Sequence, residues 1–268
     1  MDRKERVFRI CMQRGQKIIS RILGVLLPPL LLLGCDGTPW NSPYPADDAD
    51  ARILYSSFDE RPKHLDPVRS YVSNEYAFIG QIYEPPLQYH FLKRPYVLVP
   101  ATAVEVPEPS YYDQHGKRLP DDAPAAQIAV SEYLVRIKPG IRYQPHPAFA
   151  QDEAGIYRYH QMSLSALERI NALGDFSATA SRELTAEDYL YQIKRIAFPK
   201  LHSPIASLMQ DYIIGFESFS NTLNDAYQQL KAETGEEELF LDLRDFSLPG
   251  AELVDRYSYR IRLHGKYP

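Results

Sequence analysis

Residues 183–199, ELTAEDYLYQIKRIAFP, carry the strongest fold signal in the chain. Thr185 and Asp188 have the three-residue spacing of a capping box, in which two side chains satisfy free backbone N–H groups at the start of a helix. Apolar residues recur at helical spacing over residues 189–197, and Pro199 ends the pattern. The segment therefore predicts an amphipathic helix with one face against a core, and we interpret it as a structural element.

The remaining segments predict a globular protein of mixed α and β structure. Residues 107–124 are polar and rich in proline, which indicates a loop, and Pro139-Gly140 indicates a turn between two paired strands. Ser73 and Ser203 precede helical patterns and are candidate N-caps. The predicted strands cover residues 51–58, 87–92, 97–106, 128–138, 141–143 and 257–263, and the predicted helices cover residues 74–83, 163–173, 185–199 and 203–235.

The first 34 residues have the pattern of a bacterial lipoprotein signal peptide. Seven basic residues precede Ile22, and the apolar run over residues 22–34 is too short to span a membrane. Leu32-Leu33-Gly34-Cys35 resembles a lipobox, which is cut before a cysteine that then receives acyl chains. We therefore expect a signal peptide at 1–34, a lipidated Cys35, and a flexible tether over 35–50. Translation from Met12 would leave a shorter basic region.

Charge and cysteine content exclude several classes of partner. Without residues 1–34 the chain has 23 Lys and Arg against 33 Asp and Glu, a net charge of −10. Binding to nucleic acid needs clustered basic residues, so we expect no nucleic-acid partner. Cys35 is the only cysteine outside the signal peptide, which leaves no disulfide and no thiolate metal site.

The sequence contains no recognisable catalytic or metal-binding motif. Its seven histidines lack the three- or four-residue spacing of a metal site, and no HExxH, GxSxG, CxxC or phosphate-binding glycine loop occurs. Tyr157, Tyr159 and His160 form a local cluster that we interpret as surface. We therefore expect no enzyme activity, no cofactor and no metal. Twenty tyrosines suit either a binding cleft or ordinary packing.

Five segments occur in an order that resembles one known family. They are LDP at 65–67, IYEPPLQY at 82–89, YLVRIKPGIRYQP at 133–145, ELTAEDYLYQIKRI at 183–196 and YSYRIRLHGKYP at 257–268. This order is similar to the N-terminal part of the bacterial extracellular solute-binding proteins of family 5, the oligopeptide- and dipeptide-binding components of ABC importers. About 35 additional residues precede the fourth segment, which indicates a divergent subgroup.

The resemblance implies a type II periplasmic-binding-protein fold, with two α/β lobes that close on a ligand. Family members are considerably longer than this chain, so residues 51–268 are expected to form the first lobe only, a mixed sheet with flanking helices, and the second lobe is absent. The implied partners are a peptide or other small solute, ABC permease subunits, and the periplasmic side of the inner membrane through the lipid anchor. Relatives also bind nickel chelates, haem or sugars, which leaves the ligand class open.

The resemblance also suggests the ligand-binding residues. An acidic residue shortly before LDP faces the cleft in the family, and Glu60 is the nearest match. Tyr71, Ser73 and Asn74 follow LDP at an expected junction with a helix. Two other interpretations stay open: a degenerate lipoprotein that binds nothing, and, with less support, a periplasmic hydrolase.

Overall fold

The computed structural model describes residues 56–235 and 239–267. Cys35, the expected signal peptide, the tether and most of the strand expected at 51–58 lie outside the described residues. The described residues form five α-helices and two antiparallel sheets. The helices are α1 Ser73–Ile82, α2 Leu164–Leu167, α3 Ala186–Ala197, α4 Ala206–Tyr212 and α5 Phe216–Thr234. The strands are β1 Leu87–Tyr89, β2 Leu98–Pro100, β3 Pro109–Tyr112, β4 Arg118–Leu119, β5 Val130–Arg136, β6 Ala251–Asp255 and β7 Ser258–His264.

The larger sheet has the strand order β4-β3-β5-β7-β6, and β1 and β2 form a separate hairpin. Strands β5 and β7 pair along their whole length, from Val130 opposite His264 to Arg136 opposite Ser258. Both strands were predicted from alternating sequence and are confirmed. The resemblance implied a mixed sheet, whereas every strand pairing among the described residues is antiparallel.

The loop predicted at 107–124 is wrong in part, because this segment contains β3 and β4. Tyr111 is buried against Ala123 and Ile128, and β3 takes its hydrogen bonds from β5. Pro109 is tolerated because it stands at the first position of the strand, where a missing N–H interrupts the pairing least. The turn between the strands is closed by Asp113, whose carboxylate accepts hydrogen bonds from the backbone N–H groups of His115 and Lys117.

The hairpin predicted across Pro139-Gly140 is also wrong. The chain does turn there, but Arg142 pairs with Glu183, and Tyr143 N–H donates to the carbonyl of Arg182 at 3.0 Å. The two long edges of β5 are already occupied by β3 and β7. Residues 141–143 therefore meet the segment before α3 instead of returning along β5.

The helices agree with prediction to different degrees. α3 is confirmed, with its capping box between Thr185 and Asp188. The helix expected at 163–173 shortens to the single turn α2. Ser73 is the first residue of α1 rather than its cap, and the N-cap Val72 supplies no side-chain hydrogen bond. None of the helices in the described part of the chain is both long and apolar enough to cross a bilayer.

The helical pattern expected over 203–235 divides into α4 and α5 at Ile213 to Gly215. Ile214 N–H donates to the carbonyl of Arg262 on β7, and Arg262 N–H donates to the carbonyl of Gly250. These bonds place the break against the sheet. A Cβ on Gly250 would lie 2.3 Å from the carbonyl oxygen of Ile214, so the close approach requires glycine.

The main core lies between α3, α5 and the segment around β6. Its buried apolar members come from separate parts of the chain. They include Val68, Leu190, Phe216, Phe219, Leu223, Tyr227, Leu243 and Leu248. A second cluster joins the start of α3 to the sheet through Ala186, Val135, Ile137 and Tyr259. Because α3 contributes to both clusters, it fixes the position of the loops that contact it.

Candidate binding surface

A buried carboxylate holds the loop that leads into α1. Glu75, in the first turn of α1, is 3% exposed, and its Oε1 accepts hydrogen bonds from the N–H groups of Lys63 at 2.8 Å and His64 at 2.9 Å. A hydrogen bond from Ser70 and these two amides keep the pKa of Glu75 below its usual value. The loop is therefore fixed against the start of the helix.

An ion pair joins the same loop to α3. The Arg195 guanidinium donates two hydrogen bonds to the carboxylate of Asp66, at 2.6 and 3.0 Å. Burial opposes ionisation of Asp66, but Arg195 and the N–H of Val68 outweigh it, so the pKa of Asp66 lies below its usual value. Val68 is fully buried in the main core. The segment LDP thus has a structural role: it anchors the loop.

A tyrosine on α3 holds the segment that follows α1. The Tyr189 hydroxyl donates to the carbonyl of Glu84 at 2.8 Å and pairs with the hydroxyl of Thr102 at 2.6 Å. Thr102 is fully buried just after β2, and its hydroxyl donates to that of Tyr189, with its oxygen 3.2 Å from the carbonyl oxygen of Pro85. Burial raises the pKa of Tyr189, so this phenol stays neutral and able to donate. α1 and the β1–β2 hairpin are therefore both attached to α3.

A third contact fixes the start of α3 itself. Glu183 accepts hydrogen bonds from Arg256 at 2.7 Å, from the N–H of Gly140 at 2.8 Å and from the Tyr257 hydroxyl at 3.0 Å. Led by the Arg256 contact, these partners lower the pKa of Glu183 to about 2. In addition, Ala186 N–H donates to the carbonyl of Arg256. The turns after β5 and between β6 and β7 are thereby joined to α3.

The four predicted ligand-binding residues lie on and beside the loop held in this way. Tyr71 is 74% exposed, Ser73 is exposed in the first turn of α1, and Asn74 is half-buried, with its Oδ1 accepting from the N–H of Glu75 at 3.0 Å. The structure therefore brings three of the four together at one end of α1. Glu60 is exposed at a bend before the loop and makes no hydrogen bond or ion pair with another described residue.

The surface around these residues is unusually apolar. Of the 24 exposed large hydrophobic side chains among the described residues, 15 lie between residues 58 and 106, a range that includes the loop, α1 and the β1–β2 hairpin. On α1 only Ile79 of the apolar residues is buried, whereas Tyr76 and Ile82 are exposed, as is Tyr83 directly after the helix. Exposed apolar side chains concentrated in one part of a chain in this way make that part a candidate interaction surface.

The residues that build this surface were not identifiable from sequence alone. Glu75 and Tyr189 occur within helical patterns and show no feature in the sequence that marks them as contact residues. Arg195 lies near the C-terminus of its predicted helix, where a positive charge is already explained by the helix dipole. Asp66 and Arg195 are 129 residues apart along the chain. The available signal was their occurrence in two of the five motifs, which indicates a shared role without specifying a contact.

No group of three or more His, Cys, Asp and Glu side chains in the described ranges is arranged to hold a metal ion. Comparison with protein-family models found no match to this chain, and comparison with curated proteins found none either. The functional assignment therefore depends on the motifs and on the surface that they build.

Proposed function

We propose that this chain is the substrate-binding lipoprotein of a peptide ABC import system. In this proposal residues 51–268 have the architecture of the first lobe of a type II periplasmic binding protein. The protein is attached through acylated Cys35 to the periplasmic side of the inner membrane, where it delivers peptides to permease subunits. It acts by binding and needs no cofactor.

The order of the motifs supports this proposal, together with the contacts between them. α3 contacts LDP through Asp66–Arg195, the IYEPP segment through Tyr189, and the turn at Gly140 through Glu183. These contacts explain why one chain would carry all the motifs: they fix the loops around a common helix. A binding surface built on such fixed loops loses little conformational entropy when a ligand binds.

The single observation that carries the proposal is the exposed surface beside Tyr71, Ser73 and Asn74. Tyrosine side chains offer a large contact area and one hydrogen-bonding hydroxyl, which suits peptide ligands of varied sequence. The Ser73 hydroxyl and the Asn74 amide can pair with peptide main-chain groups. In this proposal the exposed carboxylate of Glu60 pairs with a cationic group of the ligand.

Photo-crosslinking tests the proposal directly, because it detects a ligand that binds a single surface weakly. A pool of di- to pentapeptides with a benzophenone group would be irradiated with the protein, and the labelled residues identified by mass spectrometry. We expect labelling within residues 58–76 that an excess of unlabelled peptide suppresses. Labelling that is spread over the protein, or that unlabelled peptide does not suppress, would contradict the proposal.

A further inference from the structure

The loop between β1 and β2 combines the strongest apolar exposure in the described residues with local positive charge. Phe91 is 87% exposed and Leu92 is 77% exposed. Lys93 and Arg94 follow directly, and the sequence has no acidic residue between Glu84 and Glu105. The tip is therefore locally basic, although the chain as a whole has a net negative charge.

The tip is ordered by its own hydrogen bonds. His90 N–H donates to the carbonyl of Val97 at 2.8 Å, and the His90 Nδ1 accepts from the N–H groups of Leu92 and Lys93, both at 3.2 Å. The Arg94 guanidinium donates to the carbonyl of Lys93 at 2.8 Å. A tip held in this way keeps its apolar side chains exposed without the entropy cost of ordering them on contact.

Two tyrosines flank the tip, Tyr89 as the last residue of β1 and Tyr96 two residues before β2. The rings of Tyr89 and Tyr96 contact edge to face with centroids 5.5 Å apart, and the Arg94 guanidinium lies 4.3 Å from the Tyr96 centroid. Exposed apolar side chains with cations and tyrosines beside them are the residue types that contact a bilayer surface, where tyrosines lie at the headgroup level.

We infer that the β1–β2 tip is a membrane-contacting loop that inserts Phe91 and Leu92 into an anionic bilayer surface. Lys93 and Arg94 pair with lipid phosphates, and Tyr89 and Tyr96 lie at the headgroup level. Charge complementarity decides the partner: basic side chains beside an apolar tip match an anionic lipid surface. Two cations are too few for a nucleic-acid site. The contact is independent of acylation at Cys35 and of peptide binding.

The depth of position 91 in a membrane tests this inference in the full chain. Trp40 is the only tryptophan, so Phe91→Trp in a Trp40→Phe background carries a single indole. The matched control is Phe240→Trp in the same background, since Phe240 is 78% exposed and lies outside the hairpin. Each variant, with Cys35→Ser, would be reconstituted into phosphatidylglycerol vesicles with or without brominated acyl chains, which quench an indole only by close contact.

We expect brominated lipid to quench the Phe91→Trp indole and to leave the Phe240→Trp indole unchanged. Quenching should fall in phosphatidylcholine vesicles. Lys93→Gln with Arg94→Gln should reduce the ratio of inserted to free tip roughly thirtyfold, from the contribution of two cations near an anionic surface. Absence of quenching, or equal quenching at both positions, would overturn the inference. A different result would also overturn the inference. If lipid does not quench the indole, and solubilised membrane proteins alone shield it from acrylamide, the tip binds a protein partner.

Discussion

Arg195 and Asp66 form a two-point ion pair across 129 residues of sequence, with N–O distances of 2.6 and 3.0 Å. The pair joins the last turns of α3 to the loop that carries Tyr71 and Ser73. It is accompanied by Tyr189, which holds the segment after α1, and by Glu183, which fixes the start of α3. Helix α3 is thus the element on which the candidate surface depends.

Removing the charge of Asp66 should loosen the loop and lower the stability of the protein. We expect Asp66→Asn to reduce the free energy of unfolding by about 1 kcal/mol, since a two-point charge-assisted contact is strong but here is partly screened by solvent. Urea denaturation at neutral pH would measure the change. In a double-mutant cycle with Arg195→Gln, additive losses from the two substitutions would show that the pair makes no stabilising contact.

The lowered pKa of Glu183 predicts how the stability of the protein changes with pH. Its pKa is lowered from 4.5 to about 2 in the folded protein. The ionised carboxylate therefore stabilises the fold fully above pH 4.5, and this contribution is lost as the pH falls from 4.5 towards 2. The difference in melting temperature between wild type and Glu183→Gln should be constant above pH 4.5 and shrink below it. Glu187→Gln, at an exposed position in the first turn of α3, is the control and should show a smaller difference at neutral pH.

The close packing around Gly250 predicts that no larger residue fits at the break between α4 and α5. A Cβ there would lie 2.3 Å from the Ile214 carbonyl oxygen and 2.6 Å from the Ile213 Cγ2, so the backbone must shift. We expect Gly250→Ala to lower the free energy of unfolding by about 3 kcal/mol. Gly174→Ala is the matched control, because a Cβ at Gly174 meets no atom within 4 Å. Equal stability of the two variants in urea denaturation would contradict the packing described for Gly250.

The lipobox interpretation predicts acylation at one of the two cysteines. Metabolic labelling with a tagged fatty acid should mark the wild type and Cys11→Ser, because Cys11 lies in the segment that is removed. Cys35→Ser should lose the label. Equal labelling of wild type and Cys35→Ser would show that residues 32–35 are not a lipobox.

Sequence predicted those parts of the fold whose signals are local. The capping box of α3 depends on Thr185 and Asp188, three residues apart, and the strands β5 and β7 depend on alternation within seven residues each. The strand β3 was missed because its partner is β5 and its own segment is rich in proline. The false hairpin after Gly140 arose because a turn signal does not say which edge of a strand is free.

The candidate surface was predicted less completely, because the contacts that hold it join residues far apart in the sequence. Tyr71, Ser73 and Asn74 are neighbours in sequence, so their proximity followed from position alone. What holds their loop is the burial of Glu75 and the contact of Asp66 with Arg195, and both depend on tertiary packing. The exposure of Tyr76 and Ile82 was equally hidden, since an apolar helix face is expected to meet a core and only tertiary packing shows that these side chains do not.

Amide chemical-shift mapping with peptide tests the central proposal most directly. The ¹⁵N-labelled protein lacking residues 1–35 would be titrated with a mixed di- to pentapeptide pool, with Tyr71→Ala as the site variant and Phe240→Ala as the control for an exposed aromatic. We predict saturable shifts confined to residues 58–76 and neighbouring exposed positions of α1, weakened at least several-fold by Tyr71→Ala and unchanged by Phe240→Ala. Saturable shifts that centre elsewhere, or no shifts at millimolar peptide, would contradict the assignment of this surface to peptide binding.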